Sequence, residues 1–216
     1  MAFTVYDYRT DVRNVVITPE IRSRFMRMEP GTVAARHSHD LGHEVFLVLE
    51  GQAEFEIDGE RAVLGPGQMC FARADQMHQV RVVGGKPMTL YLSVTPHIEP
   101  THTRWDDRGQ KLPPSYGTAT VTERANRPHP GESPVDLVDR HVAAAKVLAA
   151  AAAANAKAQE KEAAVLRRAL AAGDSTAAKA AVDAMWQQIY LAYKSFQTLE
   201  AAWNELTTLV SESSSD

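Results

Sequence analysis

Short apolar runs separated by glycine dominate the first hundred residues. Residues 45–49 form a continuous apolar run that ends just before Gly51, which is typical of a strand buried on both faces. Residues 52–57 alternate apolar and polar side chains, and the Asp58-Gly59 pair that follows is typical of a type I′ hairpin. Similar runs lie at residues 61–64, 69–72, 79–83 and 88–94. Closely spaced short strands of this kind predict a β-sandwich or β-barrel.

The hydrophobic period changes from two residues to between three and four after residue 132. Ser133-Pro134 followed by Asp136 is typical of a helix start, since it offers a capping hydroxyl, a proline in the first turn and an early acid. Apolar and alanine positions then recur at helical spacing from 138 to 170 and again from 182 to 210. Gly173 and the polar residues after it separate the two stripes. The pattern predicts an antiparallel helical hairpin.

These patterns divide the chain into three predicted parts. Residues 1–100 form the β-barrel with its N-terminal strands, and residues 133–211 form the helical hairpin. Residues 101–132 are rich in proline and show no lasting periodicity, which predicts an extended arm and linker. His97, His102 and Trp105, near the start of this arm, are candidates for a lid over the barrel.

Composition narrows the function classes. A net charge of −4 and an isoelectric point near 6.1 disfavour a nucleic-acid binder, which usually carries a basic face. The single cysteine, Cys70, excludes an intramolecular disulfide and fits a reducing compartment. The sequence shows no secretory leader and no apolar stretch long enough to span a bilayer. We therefore expect a cytoplasmic protein that binds neither nucleic acid nor a membrane.

Three histidines and a glutamate have the spacing of a metal site. His37 and His39 lie two residues apart, so an extended backbone turns both imidazoles to the same side. Glu44 begins the next strand and can face them across the turn, and His78 precedes a later strand and can supply a fourth ligand. Nitrogen and carboxylate ligands in this ratio suit one divalent ion of Fe, Mn, Ni, Cu, Co or Zn, and are wrong for Ca²⁺ or Mg²⁺.

With these residues the chain resembles the cupin superfamily, and in particular its small bacterial single-domain members. The first cupin motif, G-x5-H-x-H-x4-E-x6-G, is met in full by Gly31, His37, His39, Glu44 and Gly51. The second motif, G-x5-P-x-G-x2-H-x3-N, is met only at Gly67 and His78, and departs from the family pattern at Arg73, Asp75 and Val82. The resemblance covers residues 20 to 95 and implies a double-stranded β-helix, or jelly roll, with one metal ion. It says nothing about the helical hairpin.

Four further residues are candidates for orienting a ligand or lining the pocket. His43 could replace Glu44 as a ligand, but strand parity places Glu44, Phe46 and Val48 on one face and turns His43 to the other. Phe46 is predicted to line the apolar interior. Arg73 and Asp75 lie in the turn before His78 and could reach the mouth of the barrel.

The resemblance leaves two function classes open. In one, the protein is a metal-dependent enzyme that acts on a small organic molecule by dioxygenase chemistry, or by Lewis-acid chemistry as an isomerase or lyase. In the other, it is a non-catalytic, metal-dependent sensor or binding protein whose hairpin contacts a partner. The enzyme is the favoured reading, and no residue is assigned a catalytic role.

The apolar outer faces predict self-association. Val45, Leu47 and Leu49 lie opposite the metal side of their strand and are all large and apolar, so a homodimer through the barrel is expected. The two apolar stripes of the hairpin predict a higher-order assembly through pairing into a four-helix bundle.

Overall fold

The computed structural model describes residues 3–116 and 133–213 of the 216-residue chain. Eight β-strands come first and two long α-helices follow. The strands are β1 (Asn14–Ile17), β2 (Arg22–Met28), β3 (His43–Glu50), β4 (Ala53–Ile57), β5 (Glu60–Leu64), β6 (Met69–Ala72), β7 (His78–Val82) and β8 (Met88–Thr95), and the helices are α1 (Pro134–Ala172) and α2 (Ser175–Ser213).

The strands form two antiparallel sheets. The five-stranded sheet has the order β1-β2-β8-β3-β6, and the three-stranded sheet has the order β5-β4-β7. Neighbouring strands in each sheet are therefore mostly distant in sequence, as in a jelly roll. The predicted fold class, a β-structure of jelly-roll type followed by a helical hairpin, is confirmed.

The core of the β-structure lies between the two sheets. Strand residues on the inward face of each sheet are buried, because alternate side chains of a strand point to the same side. The buried core residues are Met28, Phe46, Val48, Ala53, Phe55, Leu64, Ala72, Val80, Val82, Met88, Leu90 and Leu92. The outward residues of β3 predicted to form a dimer face, Val45, Leu47 and Leu49, are half-buried, and dimerisation through them stays a prediction.

The hairpin between β4 and β5 has the predicted tight turn. Asp58 and Gly59 have φ angles of 49° and 85°. A type I′ turn needs positive φ at both central residues, and the Asp-Gly pair tolerates this conformation better than other residues do.

Gly51, which follows β3, has a conformation and surroundings that exclude a side chain. Its φ is +71°, and a Cβ atom there would lie 2.8 Å from Met88 Cα and against the carbonyl oxygen of Pro87. We expect Gly51→Ala to lower the free energy of unfolding by at least about 3 kcal/mol, because left-handed strain and a clash with rigid backbone add together.

The matched control for this substitution is Gly59→Ala. Gly59 also has a positive φ, +85°, but no atom lies within 4 Å of its Cβ position, so only the strain remains. We expect a loss of about 1 kcal/mol for this variant in urea denaturation followed by circular dichroism. Equal losses for the two variants would contradict the steric explanation.

Helix α1 begins and ends at the predicted capping residues, whereas α2 extends to Ser213, two residues beyond the predicted end of the hairpin. Ser133 and Asp136 form a reciprocal capping box at the start of α1, and Gly173 adopts the left-handed conformation at its end with φ 69°. The Asp174 side chain accepts a hydrogen bond from Ala177 N, 2.9 Å away, at the start of α2. Between the helices, Gln159 Nε2 of α1 donates to the Met185 carbonyl oxygen of α2 at 3.0 Å.

By its internal contacts the chain divides into two compact units, Met1–Pro128 with Thr207–Asp216, and His129–Leu206. The assembly of hairpins into a larger bundle remains a prediction. Within the described part of the chain, neither helix has an apolar stretch of the length and hydropathy needed to cross a membrane.

Candidate metal centre

Three separate segments of backbone bring the four predicted ligands together. His37 and His39 lie in the extended segment between β2 and β3, Glu44 is the second residue of β3, and His78 is the first of β7. An isolated bridge joins the first and last of these segments, in which His78 N donates to His37 O at 2.8 Å and His37 N donates to His78 O at 3.1 Å. The positions of the His37 and His78 imidazoles are therefore set by paired backbone.

The ligand atoms of His37, His39, Glu44 and His78, called here the His/Glu cluster, all lie within 4.8 Å of one another. Glu44 Oε2 is 2.9 Å from His39 Nε2, 3.0 Å from His78 Nε2 and 3.8 Å from His37 Nε2. The two Nε2 atoms of His37 and His78 are 3.2 Å apart. These distances place four donor atoms around one point, as a single metal ion requires.

Backbone carbonyls determine which nitrogen of each imidazole faces the cluster. His37 Nδ1 is 2.9 Å from the Ala35 oxygen, His78 Nδ1 is 2.9 Å from the Gln76 oxygen, and His39 Nδ1 is hydrogen-bonded to the Thr101 oxygen. A carbonyl oxygen only accepts, so each Nδ1 is the donor and carries a hydrogen atom. In the neutral imidazole the Nε2 atom then presents a lone pair, which is the form that binds a metal.

The charge state of the cluster follows from its burial and from the contacts among its members. Burial by itself raises the pKa of the Glu44 carboxyl, but its contacts with His37, His39 and His78 outweigh burial and hold the pKa well below the usual range. Burial also lowers the pKa of His37. At neutral pH the cluster therefore presents an ionised carboxylate and, at His37, a neutral imidazole.

This arrangement fits a bound cation. Three Nε2 lone pairs and a carboxylate oxygen at hydrogen-bonding distances repel one another unless a proton or a positive ion lies between them. The Nδ1 hydrogen bonds account for the one hydrogen atom that each ring carries when it is neutral, so a metal ion fits between the Nε2 atoms and the carboxylate as the counter-charge. The donor set suits a transition-metal ion.

A segment distant in sequence holds the ligand-bearing segment in place. Ser38, between two ligands, pairs with Thr103 by backbone hydrogen bonds of 3.1 and 2.8 Å, and its hydroxyl accepts from Trp105 Nε1 at 3.1 Å. The carbonyl of Thr101 accepts from His39, as described above. Residues 101–105 therefore lie beside the cluster, where the sequence predicted only a possible lid. They are the first part of the predicted arm, and the name 'the arm' refers to these five residues from here on.

The arm also brings a further histidine to the site. The ring centroid of His102 is 4.8 Å from that of His37 and 5.0 Å from that of His39. Burial, followed by the proximity of His37 and His39, lowers the pKa of His102 to about 2, so this imidazole is neutral. His102 was not among the predicted ligands, and its spacing from the other histidines gives no sign that it would lie here.

The structure places the four predicted pocket residues in different surroundings. Phe46 is buried, and its ring centroid is 5.7 Å from that of His78. His43 is exposed, and its Nδ1 accepts a hydrogen bond from Ala74 N at 3.0 Å. The exposed side chain of Asp75 lies 3.9 Å from Lys111 Nζ, while its backbone N donates to the His39 oxygen at 2.7 Å.

Arg73 lines a cavity at the edge of the β-structure. The cavity has a volume of about 560 Å³, and Phe55, Ile57, Cys70 and Phe71 also line it. The guanidinium of Arg73 lies over the Phe71 ring, 5.8 Å from its centroid. None of the four residues of the His/Glu cluster lines this cavity.

Comparison with solved structures finds similar folds at low sequence identity. An uncharacterized conserved protein with a double-stranded β-helix domain from Klebsiella pneumoniae is 23% identical over 44% of this chain and 91% of its own, with a TM-score of 0.42. TT1209 from Thermus thermophilus is 27% identical over 39% of this chain and 80% of its own, with a TM-score of 0.38. The DMSP lyase DddQ from Ruegeria pomeroyi is 23% identical over 39% of this chain and 43% of its own, with a TM-score of 0.36. No curated protein matches the chain.

Comparison with protein families gives one match, to the cupin domain (Cupin_2), over residues 24–95. The matched range begins within β2 and ends at the last residue of β8, and it includes the whole His/Glu cluster. Residues 24–95 of this chain therefore form a cupin domain.

Proposed function

We propose that the His/Glu cluster binds one divalent transition-metal ion, and that the protein is an enzyme that uses this ion in a reaction on a small organic molecule. The reaction class is dioxygenase chemistry or Lewis-acid chemistry of an isomerase or lyase. The observation that carries the proposal is the convergence of three Nε2 atoms on one carboxylate oxygen, with each Nδ1 atom hydrogen-bonded to a backbone carbonyl.

The ligand set supports a reactive role for the ion. Four protein ligands of mixed nitrogen and oxygen type leave coordination positions open on an ion that prefers five or six ligands, unlike a closed tetrahedral structural site. When bound, such an ion supplies Lewis acidity, or redox chemistry with dioxygen if it is iron or another redox-active metal.

The protein residues around the cluster have separate roles in this proposal. The backbone carbonyls orient the three imidazoles, and the buried ring of Phe46 excludes water on the interior side of His78. His102, next to His37 and His39 and outside the cluster, is positioned to contact a molecule held there. Apolar walls with a few polar groups are typical of sites for small organic molecules.

The test is an activity screen of defined metal forms. The purified protein is loaded separately with Fe, Mn, Co, Ni, Cu and Zn, and each form is assayed for oxygen uptake and for product formation with enolisable ketones, phenolics and keto-sugars. We expect turnover with at least one metal form, and none with the metal-free protein. The control is His43→Ala, which removes an exposed histidine beside Glu44 and should remain active.

Two outcomes would contradict the proposal. If none of the loaded forms contained about one metal ion per chain, the metal site itself would be contradicted. Tight binding of a small molecule to a metal form that turns over no substrate would contradict the enzyme and favour a metal-dependent sensor.

A further inference from the structure

Two arginines of β2 face the interior of the sandwich on the same side as the metal cluster. Arg22 lies opposite Val94 of β8, and Val94 lies opposite Glu44 of β3. Arg24 lies one row further along, opposite Leu92. Cross-strand neighbours point to the same face of a sheet, so both guanidinium groups share the inward face with the Glu44 carboxylate.

Neither arginine has the hydrogen bonds and ion pairs that a guanidinium in the interior needs. Arg22 is 4% exposed, and its ion-pair contact is to Glu44 Oε1, 3.7 Å from its terminal nitrogen. Arg24 is half-buried and forms no ion pair with any described residue. The Nε atoms of both are buried and lack a hydrogen-bond partner within the described part of the chain.

Burial of two arginines side by side is unfavourable in the protein alone. Burial lowers the pKa of both guanidinium groups, and the charge of Arg24 lowers that of Arg22 further, although Glu44 acts in the opposite direction. A buried guanidinium without full pairing is costly, because the hydration that it loses is only partly replaced by protein contacts. A sheet interior could hold apolar side chains at both positions, as β2 does at Met28.

A bound metal ion would leave an excess of positive charge among the buried groups, and that excess favours an anionic ligand. Among the described residues 3–116, Glu44 and Glu99 are the buried carboxylates, and their two negative charges balance those of Arg22 and Arg24. A divalent ion in the His/Glu cluster adds two positive charges that no buried side chain offsets. An anionic ligand would supply both the missing charge and the missing acceptors.

We infer that Arg22 and Arg24 form an anion-binding subsite beside the metal, and that the molecule acted on there is an organic carboxylate. This inference rests on the proposed function, because it assigns the substrate class of the same site. The planar guanidinium fork pairs with a carboxylate through two parallel hydrogen bonds. The neighbouring interior side chains, such as Leu92 and Phe46, are apolar, and a carboxylate monoanion costs less to desolvate there than a phosphate dianion does.

The experiment measures ligand binding by calorimetry, so it does not depend on turnover. Protein loaded with zinc is titrated with pyruvate, lactate and succinate, with the neutral amides of these acids, and with methyl phosphate, which has no carboxylate. We expect at least one carboxylate to bind and its amide to bind at least tenfold more weakly, since charge-assisted hydrogen bonds are lost. We expect methyl phosphate to bind more weakly than the best carboxylate.

Variants on the two faces of β2 locate the subsite. Arg24→Met should weaken carboxylate binding about tenfold or more and leave the affinity for the amide unchanged. Arg24→Lys keeps the positive charge but lacks the planar guanidinium, so its affinity for the carboxylate should lie between those of Arg24→Met and the wild type. The matched control is Arg27→Met, on the same strand, where the exposed side chain pairs with Glu29 at 3.5 Å and should not affect binding.

Several outcomes would overturn the inference. Equal affinity for acids and amides would do so, as would tighter binding of methyl phosphate than of every carboxylate. So would absence of binding by the whole panel, or unchanged binding in both Arg24 variants when circular dichroism shows that they are folded. Metal content is measured in every sample. Full zinc occupancy without carboxylate binding contradicts this inference alone, whereas absence of zinc contradicts the proposed function.

Discussion

The double substitution His37→Ala/His39→Ala is expected to abolish metal binding. Each histidine contributes an Nε2 atom to the cluster, and without both rings only Glu44 and His78 remain as ligands. Changes to residues that merely support a ligand lower metal affinity about 10- to 100-fold, so loss of two ligands should exceed that range. Elemental analysis and titration with a chelator of known affinity measure the change.

The control for this prediction is His43→Ala. His43 is adjacent in sequence to Glu44, but its exposed side chain bonds to the backbone of Ala74 and not to the cluster. This variant should keep one metal ion per chain. Full metal content in the double variant, or equal loss in His43→Ala, would show that the ion binds elsewhere.

The metal-free protein is expected to lose stability steeply as the pH falls from 6.5 to 4.5. Burial, aided by the charge of Arg22, lowers the pKa of His97 to about 3, and burial with the charges of neighbouring groups lowers the pKa of His102 to about 2. Both values lie below the ordinary histidine pKa of 6.5, so below that pH the unfolded chain binds more protons than the folded chain does. The stabilisation is complete above pH 6.5 and decreases as the pH falls towards the folded-state values.

The size of this effect follows from the linkage relation. Each histidine contributes a loss of about 1.4 kcal/mol per pH unit, which gives roughly 3–5 kcal/mol for the pair between pH 6.5 and 4.5. Urea denaturation in the presence of a chelator measures it at each pH. His97→Gln should reduce the slope to about half. A free energy of unfolding that is constant over this range would contradict the buried, neutral state of both imidazoles.

Local patterns were sufficient to predict most of the fold. The strands from β3 to β8 coincide with the apolar runs and turn residues, because each has one face in the core and a glycine or aspartate where the chain reverses. Capping residues likewise placed the ends of α1. β1 and β2 were expected only as unplaced N-terminal strands. The inward positions of β2 include Arg22 and Arg24, so its alternation of polar and apolar residues is hidden.

The candidate site was predictable only where sequence spacing determines geometry. His37 and His39 are close because of their spacing, and the family motif added Glu44 and His78. The contact between the arm and the His/Glu cluster could not be predicted beyond a possible lid, since it includes a backbone carbonyl, that of Thr101, 62 residues from His39. His102 comes to the site with that carbonyl, and carbonyls carry no residue-specific signal.

The hydrogen bond between His39 and the arm links two equilibria. A metal ion bound as proposed would favour the orientation of the His39 ring in which Nδ1 donates to Thr101, so it would also favour the arm in its present position against the cluster. By reciprocity, any event that docks the arm, through Ser38 and Trp105 for example, raises metal affinity by the same factor by which the metal raises docking. Occupancy of the metal site and the order of residues 101–105 should therefore rise and fall together. We expect hydrogen exchange of the arm amides to slow as the metal concentration increases.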